Sequence, residues 1–187
     1  FGFAYGEKEN GAVFSHMAVM YANALYKRGF IKEGYKVLKN LLDSAMDFES
    51  SIMYPGIPEY FDNDGRGLYA YLTGAASWYM LTMITEVFGV RGELGNLVIK
   101  PALLPEQFDK DGKAAIKLNF SGRTLKITIH ADIDNIQDNN GVYNKIIRVE
   151  CDGNELESAD LKKVVIMKKR IEEMSCERCH EIDVFIK

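Results

Sequence analysis

Two periodicities divide the chain. Over the first half, apolar residues recur at helical three- and four-residue steps. Val13, His16, Met17, Met20, Ala24 and Leu25 form one such stripe between Ala12 and Phe30, and Gly29 marks a stop. Ile31, Tyr35, Leu38, Leu42 and Ala45 repeat the pattern from Ile31 to Ala45, and so short a connection predicts an antiparallel helix pair. Tyr54-Pro55-Gly56-Ile57-Pro58 and Asp62-Asn63-Asp64-Gly65-Arg66-Gly67 follow, a proline- and glycine-rich loop that cannot continue a helix. A third helix is predicted from Thr73 to Val87, ending before Gly89, with Trp78, Leu81, Ile84 and Phe88 as its core stripe.

The second half alternates with period two. Ile116, Leu118 and Phe120 interleave with Lys117 and Asn119, and Leu125, Ile127 and Ile129 with Lys126, Thr128 and His130. Ile147, Val149 and Cys151 lead into Asp152-Gly153, a hairpin-turn dipeptide. Val164 to Met167 and Ile182 to Ile186 supply two more strands. The predicted class is therefore α+β, with helices followed by an antiparallel sandwich. The boundary falls near Gly95, with Pro101 and Pro105 just beyond, so the expected units are residues 1–94 and 95–187.

Composition narrows the function classes. At 187 residues and 47% apolar, the chain can bury a core without metal or disulfide staples. With 23 Lys+Arg against 27 Asp+Glu, its formal charge of −4 argues against a nucleic-acid or anionic-membrane partner. The longest apolar candidate, Leu68 to Val90, is interrupted by Thr73, Gly74, Ser77, Thr82, Thr85 and Glu86, so no membrane span is expected. Cys151, Cys176 and Cys179 are too few for a disulfide framework and fit a reducing compartment. The opening Phe1-Gly2-Phe3 has no initiator Met and no signal layout, and reads as a piece of a longer polypeptide.

Four constellations carry possible chemistry. Lys8-Glu9-Asn10-Gly11 precedes the first helix and His16 lies inside it; such groups can bind sugar hydroxyls, and an imidazole N–H can hold an anion. On spacing alone, a capped helix start and a half-buried histidine are the plainer account. Thr73-Gly74-Ala75-Ala76-Ser77 places a capping threonine ahead of small residues, leaving first-turn N–H groups open to an anion; close helix packing is the plainer account. Glu59, Asp62, Asp64 and Arg66 form a polar loop that leads toward Thr73 and could line a pocket, though most such loops are simply solvated. Cys176-Glu177-Arg178-Cys179-His180 has the spacing of haem attachment or half a zinc site, but no second pair completes it, and a strand-end cysteine pair is expected.

Together these residues resemble the C-terminal part of glycoside hydrolase family 94, the inverting disaccharide and oligosaccharide phosphorylases. Lys8-Glu9-Asn10-Gly11-Ala12-Val13-Phe14-Ser15-His16 is similar to the family's K-E-N-G-x-x-F-x-H segment, and Tyr71-Leu72-Thr73-Gly74-Ala75-Ala76-Ser77-Trp78 to its W-L-T-G-[TS]-A-x-W segment. Phe88-Gly89-Val90-Arg91 and Leu97-Val98-Ile99-Lys100-Pro101 follow the family's passage into a C-terminal sheet. Tyr71, Ala75 and Met17 depart from the family pattern, and the Tyr54 to Phe61 loop looks more like the branch acting on β-1,2-linked glucooligosaccharides.

The resemblance implies the last helices of an (α/α)6 barrel followed by a β-sandwich. It implies cleavage of a β-linked gluco-oligosaccharide by phosphate to give glucose 1-phosphate, with inorganic phosphate as co-substrate and no other cofactor or metal. His16, Thr73 and Gly74 would hold phosphate, and Lys8 and Glu9 would face the sugar. The family's general acid is an aspartate of an earlier segment without a match here, so no catalytic residue is expected in this chain, which alone should be inactive. A cytoplasmic homodimer is the family expectation. Two other readings stand beside it: a module of a β-glucan transferase or hydrolase on the same barrel, and a non-catalytic carbohydrate-binding or interface domain.

Overall fold

The computed structural model describes residues 2–54, 56–69, 74–131, 145–156 and 162–187. Helices and sheets are both present, as expected of an α+β chain. The chain divides into two compact units, Phe1–Met83 and Ile84–Lys187.

In the first unit, strand β1 (Val13–Phe14) runs into helix α1 (Ser15–Lys27). Gly29, at φ 84°, turns the chain into α2 (Ile31–Met46), which returns antiparallel. A Cβ on Gly34 would come within 2.6 Å of the Tyr26 ring, so the glycine sets how closely α1 and α2 approach. One helical turn, α3 (Phe48–Ser51), is capped by Asp47, whose carboxylate accepts from the Ser50 N–H and hydroxyl. The segment read as loop holds two short strands, β2 (Tyr60–Phe61) and β3 (Gly67–Leu68), which complete an antiparallel β1-β2-β3 sheet. Helix α4 (Gly74–Thr82) passes into a π-helical turn, Met83–Val87. Thr73, the expected start of that helix, lies outside the described residues.

The buried stripes differ from those read off the apolar pattern. On α1 the buried residues are Ser15, Val19, Ala22, Asn23 and Tyr26, whereas Met17 and Met20 are exposed. The cause is a polar contact: Asn23 Nδ2 donates to Thr82 Oγ1 at 3.1 Å, so the face toward α4 is not an apolar one. On α4 the buried residues are Ala75 and Thr82, and Leu81 is exposed. Small side chains are the buried ones on that helix, and of the predicted stripe Trp78 lies against His16 of α1.

In the second unit, three two-residue turns, Leu94-Gly95, Ser121-Gly122 and Asp152-Gly153, have positive φ at both positions. This geometry matches the twist of tight hairpins. They join β4 (Val90–Glu93) to β5 (Asn96–Ile99), β6 (Lys113–Phe120) to β7 (Arg123–Ala131), and β8 (Ile146–Cys151) to β9 (Asn154–Glu155). Gly95 is therefore a turn inside a sheet, and the division between units comes earlier, after Met83. Strand β10 (Val164–Ile166) completes a three-stranded sheet in the order β10-β5-β4.

The other sheet runs β6-β7-β11-β8-β9, with β11 (Cys179–Ile186) at its centre. The expectation of a wholly antiparallel arrangement is corrected at one seam, because β7 and β11 pair in parallel from Thr124↔Cys179 to Ala131↔Ile186. More chain than a hairpin separates them, including helix α5 (Lys168–Glu173), and parallel pairing requires such a crossover. Leu125, Ile127, Ile129, Ile182, Val184 and Ile186 are buried as their alternation predicts. Ile147 is exposed instead of buried, because the register shifts between Phe185 and Ile186 and turns Ile146 inward.

Two contacts hold this unit's geometry. Gly89, at φ 68°, accepts a hydrogen bond from the Lys100 N–H at 3.0 Å, and a Cβ there would lie 1.8 Å from the Lys100 carbonyl oxygen. Asp152 ties the β8–β9 turn to β11. Its Oδ1 accepts from the Glu181 N–H at 3.0 Å; its Oδ2 accepts from Arg178 at 2.7 Å and lies 2.6 Å from His180 Nδ1. Burial works to raise the Asp152 carboxyl, but the His180 and Glu181 hydrogen bonds and the His180 and Arg178 charges outweigh it and hold it below the usual range.

Gly89→Ala is expected to lower stability in urea unfolding by about 3 kcal/mol, from left-handed strain plus the clash. Gly153→Ala, with a similar φ but nothing within 4 Å, should cost about 1–2 kcal/mol. The depressed Asp152 carboxyl contributes stability that is complete above its ordinary value of 3.8 and is lost as pH falls through the lower folded value. The urea midpoint should therefore fall as pH drops below about 3.8, and Asp152→Asn should be less stable at neutral pH with a flatter acid slope.

Candidate functional site

The start of α1 and the start of α4 meet. A Cβ on Gly74, the first residue of α4, would lie 2.6 Å from the His16 ring, so the imidazole rests directly on the glycine backbone. Farther along, Asn23 of α1 bonds Thr82 of α4. The two helices therefore run side by side in the same direction, with their N-terminal ends together.

That arrangement concentrates positive potential. Each helix N-terminus carries roughly half a unit of positive charge and unpaired N–H groups. Neither helix has an acidic residue in its first turn, and Phe14 at the N-cap of α1 provides no side-chain cap. Among the described residues no acidic side chain in either first turn cancels the dipoles. His16 Nε2 is buried, with no hydrogen-bond partner among the described residues. Its other neighbour is Trp78, with ring centroids 5.7 Å apart, so the residue read as core flanks the imidazole. A buried donor or acceptor without a partner is costly, and a site in which one lies where two helix starts meet can take up a small anion.

Spacing brought His16 and Gly74 forward separately and the resemblance joined them at one phosphate; the structure puts the His16 ring against Gly74. Thr73 lies outside the described residues. Lys8 and Glu9 fall in the tight turn closed by the Glu7↔Asn10 bridge, where Glu9 is exposed. Lys8 Nζ lies 5.1 Å from the Phe3 ring centroid and 5.0 Å from that of Tyr69. A Lys8 hydrogen bond, and then one from Tyr60, holds the Tyr69 phenol below its ordinary value. Burial, and then the same Tyr69 contact, pushes the Tyr60 phenol up to about 12.

Tyr60 and Tyr69 went unread in the sequence because the stretch around them was taken as loop. Strand β2, and the chain just after β3, carry them to the start of α1. Phe14 pairs with Tyr60 in the β1–β2 register, the Ser15 N–H donates to the Glu59 carbonyl at 2.9 Å, and the Glu59 N–H donates to the Tyr69 carbonyl at 3.2 Å. The polar loop thus arrives beside the residue that precedes His16. The pairable short segments Glu59-Tyr60-Phe61 and Gly67-Leu68-Tyr69, either side of Asp62 to Arg66, were the signal for this hairpin.

A cleft of about 560 Å³ in the same unit has the opposite chemistry. Among the described residues its lining includes Asp47, Asp62 and Asp64 and no Lys or Arg, so it disfavours anions. Among the described residues no three His, Cys, Asp or Glu side chains group to hold a metal, and no helix is long and apolar enough to cross a membrane.

No family model matches the chain. It is 26% identical, over 67% of its length, to the cellobionic acid phosphorylase of Neurospora crassa, of which it covers 17%. The chain thus spans about a sixth of that curated relative. The likeness is a distant, family-94-like relationship to a phosphorylase.

Gly74→Ala is expected to displace the His16 ring, because only the flexible imidazole can yield. The histidine's NMR resonances should move strongly while the helical circular dichroism stays within a few per cent. Unmoved resonances would mean that the ring does not rest on the glycine.

Proposed function

We propose that this chain is the C-terminal portion of an inverting β-glucoside phosphorylase, which cleaves a β-linked gluco-oligosaccharide with phosphate to release glucose 1-phosphate. The observation that carries the reading is the His16–Gly74 contact where the starts of α1 and α4 meet, with no acidic residue in either first turn. The distant likeness to a phosphorylase supports the same chemistry. The side-by-side α1 and α4, linked through antiparallel α2, agree with the wall of an (α/α)6 barrel; the β-rich unit is then the family's sandwich-type domain.

In this reading the chain's task is to position phosphate and balance its charge. Inversion needs one carboxylic acid to protonate the leaving oxygen while the nucleophile attacks from the opposite face. Phosphate is already an anion, so no protein base is required. The Gly74 N–H, the His16 imidazole and the Thr73 hydroxyl hold it, and the fixed helix dipoles act without reorganising as charge moves. Lys8, steadied on Tyr69, and Glu9 address sugar hydroxyls. The general acid comes from elsewhere in the parent polypeptide, so the chain alone turns nothing over. The parent is proposed to be a cytoplasmic homodimer that needs no metal or further cofactor.

The test uses the parent enzyme and a panel of β-linked glucobioses, with and without phosphate. Glucose 1-phosphate should form only when phosphate is present. His16→Ala should lower kcat/KM for phosphate by about 10²–10³-fold, the usual cost of removing a preorganised anion contact. Free glucose formed without phosphate would overturn the reading and favour a transferase or hydrolase on the same barrel. Full activity in His16→Ala would favour a non-catalytic role for this portion.

A further inference from the structure

The Cys176-Glu177-Arg178-Cys179-His180 segment plays no part in the proposed phosphate site, and the structure limits what it can do. His180 is 2% exposed; its Nδ1 faces Asp152 and its Nε2 lies 3.0 Å from the Ser175 carbonyl oxygen. Both ring nitrogens are thus engaged, and neither is open to a haem iron or a zinc ion. The C-x-x-C-H spacing consequently has no metal-binding third ligand in His180.

The same hydrogen bond brings the two thiols into one closed loop. Ser175 directly precedes Cys176 and His180 directly follows Cys179, so the Ser175–His180 contact ties the ends of the four-residue segment together. Within it the chain bends at Cys176, Glu177 and Arg178, and the Glu177 N–H donates to the Ser175 hydroxyl at 3.1 Å. Both cysteines are free and exposed, whereas Cys151 is free but buried. Burial, then the charge of Asp152, pushes the Cys151 thiol up and keeps it unreactive.

We infer that Cys176 and Cys179 form a vicinal dithiol that closes reversibly to a disulfide by exchange with a low-molecular-weight disulfide, while Cys151 stays reduced. One thiolate attacks a sulfur of the small disulfide, breaking its S–S bond and expelling one small thiolate. The second protein thiolate then attacks the protein sulfur of this mixed disulfide and expels the other small thiolate. The two protein thiols are oxidised to one disulfide, and the small disulfide is reduced to two thiols. The two protons lost by the cysteines are taken up by the two departing thiolates, so the exchange balances.

The experiment treats the 187-residue chain with oxidised glutathione and follows intact mass and peptide maps. The wild-type chain should lose two hydrogens, show a Cys176–Cys179 linkage with Cys151 free, and return to its starting mass with dithiothreitol. Cys176→Ser and Cys179→Ser should each trap one glutathione on the remaining exposed cysteine, because the resolving thiol is missing. A wild-type chain that accumulates stable glutathione adducts would overturn the inference, since the second thiol would then be out of reach. A chain left unmodified under conditions that modify either single variant would overturn it too, as would failure of all three chains to react.

Discussion

The first unit is organised by the contact between the His16 imidazole and the backbone of Gly74. Any side chain at position 74 would occupy the space of the ring. With the glycine, α1 and α4 can begin side by side, and Asn23–Thr82 then fixes them as a parallel pair. Two helix N-termini brought together in this way repel one another unless something negative is placed between them, and neither first turn contains an acidic residue. The uncompensated dipoles and the orphaned Nε2 of His16 are therefore one feature, and it is electrostatic.

The short β1-β2-β3 sheet supports that feature from the other side. Ser15 has no hydroxyl partner among the described residues, but its N–H is anchored to Glu59, which orients the first residue of α1. Tyr60 and Tyr69 carry this scaffold outward to Lys8. Lys8 and Tyr69 both adopt positive φ without being glycine, at 43° and 62°. Strained backbone at two residues that touch each other is the pattern of a site in which position outweighs local stability.

Much of this was legible in the residues themselves. The helix pair about Gly29, the hairpin at Asp152-Gly153 and the buried alternation of Leu125, Ile127 and Ile129 all follow from periodicity and turn chemistry. What escaped was non-local. The inward face of α1 was misread because its partner contact is Asn23 on Thr82, and Met17 and Met20 looked more apolar than the residues that are buried. The parallel β7–β11 seam joins residues more than fifty positions apart, a pairing that alternation does not encode. Tyr60 lies on a strand of two residues and Tyr69 directly follows another, both too short for any period to register.

The proposed phosphate site lies where the starts of α1 and α4 meet. The most direct test is titration of the isotope-labelled 187-residue chain with inorganic phosphate, followed by amide NMR. The amides of residues 16–18 and 74–76 should shift together along one saturable curve, and an equal ionic strength of chloride should leave them in place. Shifts confined to surface lysines, or first-turn amides indifferent to phosphate, would contradict it.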